Sequence, residues 1–168
     1  MVDALAGVSL GDAPDAALVE LVVGWQQVVG LAVASQARAV RELLARGYGF
    51  SSGLPEELGA ALAWTTRATQ AMVARAEQLG DLPAVEAGLR DGALDTRKVD
   101  LLLDELAALS VGTDALVSQD AVEQARERVA AVAVERGPDL TTTQLRRVLR
   151  REVIAVDPAV THERVVRA

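Results

Sequence analysis

Four arginines between residues 146 and 151 are the side chains in this sequence best suited to bind a charged partner: Arg146, Arg147, Arg150 and Arg151. A guanidinium keeps its charge and offers a planar fork of N–H donors that matches a phosphate or a carboxylate. At 100° per residue the four fall on one side of a helix, opposite the apolar residues of the segment. The pattern predicts phosphate contact. Its alternatives are a plain solvent-exposed face or a face that docks on the acidic body or on a further module.

The charge of the chain is unevenly distributed. The net charge is −7, which disfavours general polyanion binding. Residues 141–168 carry six arginines against three acids, a net +3, so the remainder carries −10. An anionic partner, DNA in particular, is therefore expected to meet the C-terminal end first.

Residues for catalysis or metal binding are scarce. There is no cysteine and one histidine, His162, which stands beside Glu163 and is expected at the surface. Acidic pairs such as Asp100/Asp104 and Asp104/Glu105 are expected on solvated helix faces, since catalytic pairs need a desolvated cleft. The glycine-rich loop at 47–53 lacks the lysine and the preceding strand of a phosphate loop. We predict no catalytic residue, no metal and no cofactor.

The composition predicts an all-α fold. Half of the residues are hydrophobic but only 2% are aromatic, so the core must consist mainly of Ala, Val and Leu. No segment alternates with a period of two between hairpin turns. We expect a single helical domain over 1–168, the N-terminal part of a longer protein. A long helix spans about 12–46 and a multi-helix bundle spans 54–168.

The long N-terminal helix carries a 4-3 hydrophobic pattern. One series repeats every seven residues and the second is offset by four; together they comprise Leu18, Trp25, Ala32, Ala39 and Val22, Val29, Gln36, Leu43. We call this set the α1 seam. It predicts either a core face covered by the rest of the domain or a helix-pairing face for a homo-oligomer. A membrane span over 16–34 is disfavoured because Glu20, Gln26 and Gln27 interrupt it.

A short helix, a tight turn and a longer helix follow over residues 55–79, which is a helix-turn-helix outline. Thr65 or Thr66 is expected to cap the second helix. Its exposed face would offer Thr66, Arg67, Thr69, Gln70 and Arg75 to bases. Hairpins of this shape are also common in plain helical bundles. Two interpretations therefore stay open: a base-contacting element, with Arg67 as a candidate contact, or a structural hairpin.

Helix boundaries in the second half follow from capping residues and glycines. Pro83 begins a short helix, Asp95 caps the next, and Thr113 or Asp114 begins a helix that ends at about Arg136. Thr141 or Thr142 caps the arginine-bearing helix, and Asp157-Pro158 begins another. The N-terminus has no basic segment before an apolar run, so no signal peptide is expected and the cytoplasm is the expected location.

The order of short motifs resembles a known family. Residues 56–62 (EELGAAL), the stretch from Arg67 to Leu79, Leu82-Pro83-Ala84-Val85 and Gly92-Ala93-Leu94-Asp95 follow in close succession, and residues 142–151 (TTQLRRVLRR) come downstream. This arrangement resembles the actinobacterial family catalogued as domain of unknown function 222. The similarity runs from about residue 15 to the end.

The resemblance implies a role beside nucleic-acid processing. The family is the helical N-terminal region of many proteins that end in an HNH endonuclease module. The HNH motif itself is absent here, so no nuclease residue is carried over onto this sequence. The resulting expectation is a non-catalytic helical module that contributes DNA binding or positioning. The alternative is a protein–protein interaction or oligomerisation scaffold with no nucleic-acid role.

Overall fold

The computed structural model describes Gly7 and residues 10–47, 53–112 and 119–156, and these form helices and turns without a strand. The helices are α1 (Asp15–Ala45), α2 (Leu54–Leu62), α3 (Thr66–Gly80), α4 (Pro83–Arg90), α5 (Thr96–Gly112), α6 (Gln119–Arg136) and α7 (Thr142–Val156), with a 3-10 turn at Gly137–Asp139. The all-α prediction is confirmed.

Three helix starts, those of α3, α5 and α7, have the side-chain caps that the sequence predicts, whereas α1, α2 and α4 begin without a side-chain cap. The Thr65 hydroxyl accepts from the Ala68 N–H at 3.3 Å, and an Asp95 carboxylate oxygen accepts from the Lys98 N–H at 2.9 Å. Helix α1 begins at Asp15, three residues later than expected, because Pro14 is extended. The predicted start of α6 near 113 and the helix after 157 lie outside the described residues.

Helix α1 packs on α3 and α4 through small side chains. Its buried residues are Gly30, Ala34, Ala37 and Val40. At Gly30 a Cβ would lie 2.5 Å from the Leu89 carbonyl oxygen, so the glycine permits a close backbone approach. None of these buried residues belongs to the α1 seam. The bundle packs on α1 as expected for a core helix, but it leaves the seam exposed except at half-buried Leu18 and Leu43.

An ion pair ties α1 to two other helices. The guanidinium of Arg41 donates to both carboxylate oxygens of Glu86 on α4, at 2.9 and 2.7 Å, and to the Ala76 carbonyl on α3 at 3.1 Å. Both side chains are partly buried. Both bonds to Glu86 come from one nitrogen, Nη2, while Nη1 donates to Ala76, and together these bonds hold the C-terminal half of α1 on the bundle.

Helix α5 is the centre of the C-terminal half. Val99, Leu102, Leu106 and Leu109 are buried, and α6 and α7 both pack against this helix. The Lys98 ammonium donates to the Gly137 carbonyl at 2.8 Å and so links α5 to the 3-10 turn before α7. Every helix contributes to one continuous cluster of buried side chains, which holds α7 in a defined orientation.

Candidate functional site

Helix α7 is anchored at its start and along one side. Thr141 and Gln144 form a reciprocal capping box: the Gln144 amide oxygen accepts from the Thr141 N–H at 2.9 Å and the Thr141 hydroxyl accepts from the Gln144 N–H at 3.3 Å. Leu145, Leu149 and Val153 are buried at 0–1% exposure. The opposite side of the helix must therefore face outwards.

The four predicted arginines all lie on this outer side and are exposed. Within the described residues, Arg146, Arg147 and Arg151 form no ion pair, so their guanidinium groups are available to a partner. Arg150 differs from them. Its Nε lies 3.2 Å from a carboxylate oxygen of Glu105, a buried residue of α5. We call Arg146, Arg147 and Arg151 the α7 arginine face. Arg150 instead helps to hold α7 against α5.

Glu105 was not expected to be buried. It stands three residues after Leu102 and four before Leu109, so it falls at the edge of the buried stripe of α5. That spacing is the signal in the sequence that was missed. Asp104 is exposed as predicted, and Asp100 pairs with Arg75 across 2.7 Å.

The helix-turn-helix outline is present as a hairpin. Helices α2 and α3 pack on each other and are joined by residues 63–65, in which Ala63 adopts a left-handed conformation with φ 54°. Arg67 is exposed in the first turn of α3, where a base-contacting residue is expected. Leu62 and Trp64 are also exposed at this turn, at 40% and 50%.

Two of the expected base-reading residues are unavailable. Thr69 is fully buried and its hydroxyl donates to the Pro55 carbonyl at 2.7 Å, which fastens α3 to α2. Arg75 is held by Asp100. This leaves Thr66, Arg67 and Gln70 on the outer face. Because α3 packs mainly on α1, α2 and α4 whereas α7 packs on α5 and α6, Arg67 and the α7 arginine face belong to different parts of the bundle.

The α1 seam is the second exposed feature. Val22, Trp25 and Val29 are 69%, 37% and 47% exposed, whereas Leu18 and Leu43 at the two ends of the seam are half-buried. An 18-residue stretch of this helix has a mean hydropathy of 1.7 with 6% of its residues buried, so it passes the length and composition criteria for a membrane-crossing helix. A soluble core helix passes the same criteria, but such a helix is mostly buried.

No catalytic or metal-binding arrangement is found in the described part of the chain. No group of three or more His, Asp or Glu side chains converges there as metal ligands. Within those ranges, clear pKa shifts occur only in the neighbouring pair Arg90 and Asp91, where a side-chain hydrogen bond lowers the pKa of Asp91 and raises that of Arg90. Both side chains are exposed at the surface, so the shifts do not mark a cleft. His162 lies outside the described residues.

Comparisons with known proteins give no functional assignment. No family model, no curated protein and no solved structure matches this chain. The resemblance to the family of domain of unknown function 222 therefore stays a hypothesis, and function has to be argued from the two exposed surfaces.

Proposed function

We propose that this chain is a non-catalytic helical module that contacts the phosphate backbone of DNA through the α7 arginine face. The observation that carries the proposal is the contrast between the two sides of α7. Leu145, Leu149 and Val153 on its apolar side are buried, while Arg146, Arg147 and Arg151 point outwards without an ion pair among the described residues. A rigid helix that presents guanidinium groups in this way suits an anionic polymer.

The charge distribution sets the expected strength of binding. The chain carries a net charge of −7, so DNA is repelled from most of its surface and attracted to the α7 arginine face. Three guanidinium groups neutralise about three phosphates, which gives a slope of log K against log salt of about −2.7. Binding is therefore weak, strongly salt-dependent and confined to this face.

Binding through this face is expected to hold the protein on the DNA backbone and not to recognise a particular base sequence. Base reading needs several side chains at the groove-facing end of a helix, and α3 offers Thr66, Arg67 and Gln70 after the loss of Thr69 and Arg75 to internal contacts. A backbone-positioning role agrees with the family resemblance, in which chemistry belongs to an HNH module and the helical region lacks it. The cytoplasm remains the proposed location.

The test is a fluorescence-anisotropy titration of a short labelled DNA duplex at several salt concentrations. The variant is Arg146→Gln with Arg147→Gln and Arg151→Gln, since Gln preserves helix propensity and shape. Wild type is expected to bind at low salt with the slope given above. The triple variant should lose most of the affinity and flatten the slope towards zero.

A matched control separates this surface from net charge. Arg38, Arg97 and Arg128 are exposed on α1, α5 and α6, and changing all three to Gln removes the same charge elsewhere. The control is expected to bind nearly as well as wild type. Equal losses in both triple variants, or no binding of wild-type protein at low salt, would refute the α7 arginine face as a DNA-contact surface.

A second candidate function is a self-association scaffold. It is favoured by one specific observation, the exposure of the α1 seam, and it concerns a different helix from α7.

A further inference from the structure

Most of the α1 seam lies apart from the packing face of the same helix; at its C-terminal end Val40 is buried beside it and Leu43 packs against the core. From Leu18 to Leu43 the seam is about 38 Å long at 1.5 Å per residue. The buried residues Gly30, Ala34 and Ala37 follow a different stripe, so α1 can contact the bundle and a further helix together. A repeat of 3.5 residues is the pattern that suits an α-helical partner.

The side chains of the seam change in size along its length. Val22, Trp25 and Val29 occupy the N-terminal half, while Ala32 and Ala39 occupy the C-terminal half with Gln36 between them. Leu18 and Leu43 are large at both ends, but between them the N-terminal half is large and the C-terminal half is mostly small, so the seam is complementary to a reversed copy of itself. Packing large residues against small ones fills space without gaps or clashes.

We propose that the α1 seam pairs with the α1 seam of a second copy of this chain in an antiparallel arrangement. Each layer of such a pair joins residues whose numbers add to 61. The four layers, each present twice, are Val22 on Ala39, Val29 on Ala32, Trp25 on Gln36 and Leu18 on Leu43. The first two match a large residue with a small one, and the third places the Trp25 indole N–H beside an amide acceptor.

A parallel pair of the same seams fits poorly. It would set Trp25 against Trp25 and Ala32 against Ala32, so one layer is overfilled and another is left empty. It would also place both bundles at the same end of the helix pair, because α3 and α4 cover the C-terminal half of α1. The antiparallel pair places the two bundles at opposite ends.

Charge and area set the strength of this dimer. No charged residue belongs to the α1 seam, so two chains of −7 can approach there without close repulsion. A strip 38 Å long and about 10 Å wide buries about 400 Å² per copy. Stable interfaces bury about 800 Å² per partner, so the pair is expected to be a weak, concentration-dependent dimer.

A lipid bilayer is a poorer occupant of this surface. The Leu89 carbonyl lies against Gly30, so the bundle covers one side of α1 from about that residue onwards. Residues 15–29 provide about 22 Å of helix, which is shorter than the hydrocarbon core of about 30 Å. Asp15 and Glu20 also lie within this segment, and no lysine or arginine is present there to meet anionic headgroups.

The primary test is analytical ultracentrifugation of the full chain between about 1 µM and 1 mM, the range of Kd expected for a weak interface. Wild type should pass from monomer to dimer over this range. Val22→Glu with Val29→Glu should raise the Kd at least tenfold, because each change buries a charge in two layers. Circular dichroism should show an unchanged Tm, since both side chains are exposed in the monomer.

A matched control uses exposed apolar residues elsewhere. Leu62 and Ile154 are 40% and 42% exposed on α2 and α7, and Leu62→Glu with Ile154→Glu should leave the dimer intact. A wild-type monomer at the highest concentration would overturn the proposal. So would a dimer that survives the α1 changes and dissociates in the control.

Orientation is tested by disulfide crosslinking, which is straightforward because the chain has no cysteine. Val22→Cys with Ala39→Cys should give a covalent dimer on oxidation, as the two positions face each other between copies. Val22→Cys alone should not, because its two copies lie about 25 Å apart and a disulfide needs Cα atoms within about 7 Å. Rapid crosslinking of the single variant would show a parallel pair and overturn the antiparallel one.

Vesicle flotation tests whether the α1 seam binds a lipid bilayer instead of a second copy of the chain. Neutral phosphatidylcholine vesicles and vesicles with added phosphatidylserine should both leave the wild-type protein unbound. Flotation that is lost in Val22→Glu with Val29→Glu would make the bilayer the occupant and overturn the dimer. The Arg146/Arg147/Arg151 variant should dimerise as wild type, so the dimer and the DNA contact can fail independently.

Discussion

The Nε of Arg150 lies 3.2 Å from a carboxylate oxygen of Glu105, and this pair joins the outer side of α7 to the interior of α5. Glu105 is almost entirely buried, while half of the Arg150 side chain remains exposed. A buried carboxylate needs a partner, so Arg150 has a structural role that Arg146, Arg147 and Arg151 do not share.

Arg150→Gln is expected to destabilise the fold, because it removes the guanidinium from a buried carboxylate. The free energy of unfolding should fall by about 1–2 kcal/mol, discounted for the exposure of Arg150. Urea denaturation measures this, and Arg151→Gln is the control, with a change within about 0.5 kcal/mol. Arg151→Gln should in turn weaken DNA binding. Equal stability of the two variants would show that Arg150 does not support Glu105.

The pair Arg41–Glu86 should contribute more to stability than a surface pair of the same length. Glu86→Gln is expected to lower the free energy of unfolding by about 2 kcal/mol, because this charge-assisted contact is partly buried and links α1 to α4. Glu42→Gln breaks the exposed pair with Arg46, also 2.7 Å long, and should cost less than about 0.5 kcal/mol. Equal losses of unfolding free energy in the two variants, measured by urea denaturation, would contradict a stabilising role of the Arg41–Glu86 pair.

Gly30→Ala should loosen α1 from α4. The new methyl group would lie 2.5 Å from the Leu89 carbonyl oxygen, which is backbone and cannot rotate away. We expect a loss of about 1–3 kcal/mol, despite the higher helix propensity of Ala. At Gly11 an added methyl group meets no atom within 4 Å, so Gly11→Ala should not destabilise the fold. A more stable Gly30→Ala variant in thermal denaturation would refute the close approach.

Salt should act in opposite directions on the two proposed interactions. DNA binding through the α7 arginine face weakens with salt because counterions compete for phosphates. The α1 dimer should strengthen modestly, because salt screens the repulsion between two chains of −7 while the seam itself is uncharged. Sedimentation and anisotropy across one salt series check both signs. A dimer that dissociates with salt would indicate a charged interface away from the α1 seam.

The sequence by itself determined the helices and most of their starts. The sequence predicts Asp95 as a cap and narrows two others to Thr65 or Thr66 and Thr141 or Thr142, because a cap is satisfied by an N–H two or three residues away and the information is local. The sequence also predicts the orientation of α7, since Leu145, Leu149 and Val153 lie opposite the four arginines, although apolar Ile154 is exposed on the outer side.

The tertiary structure decided which face of α1 is buried. Apolar residues lie around most of this helix, so hydrophobic periodicity favoured the 4-3 series, while the bundle instead packs on Gly30, Ala34 and Ala37. That choice depends on the Leu89 carbonyl of α4, more than fifty residues away, and on how closely two backbones can approach. The burial of Glu105 likewise depends on distant segments, since both α6 and α7 pack on α5 and Arg150 of α7 pairs with its carboxylate. Such contacts depend on how the surfaces of two segments distant in the sequence fit together. The hydrophobic periodicity of one segment carries no information about that fit.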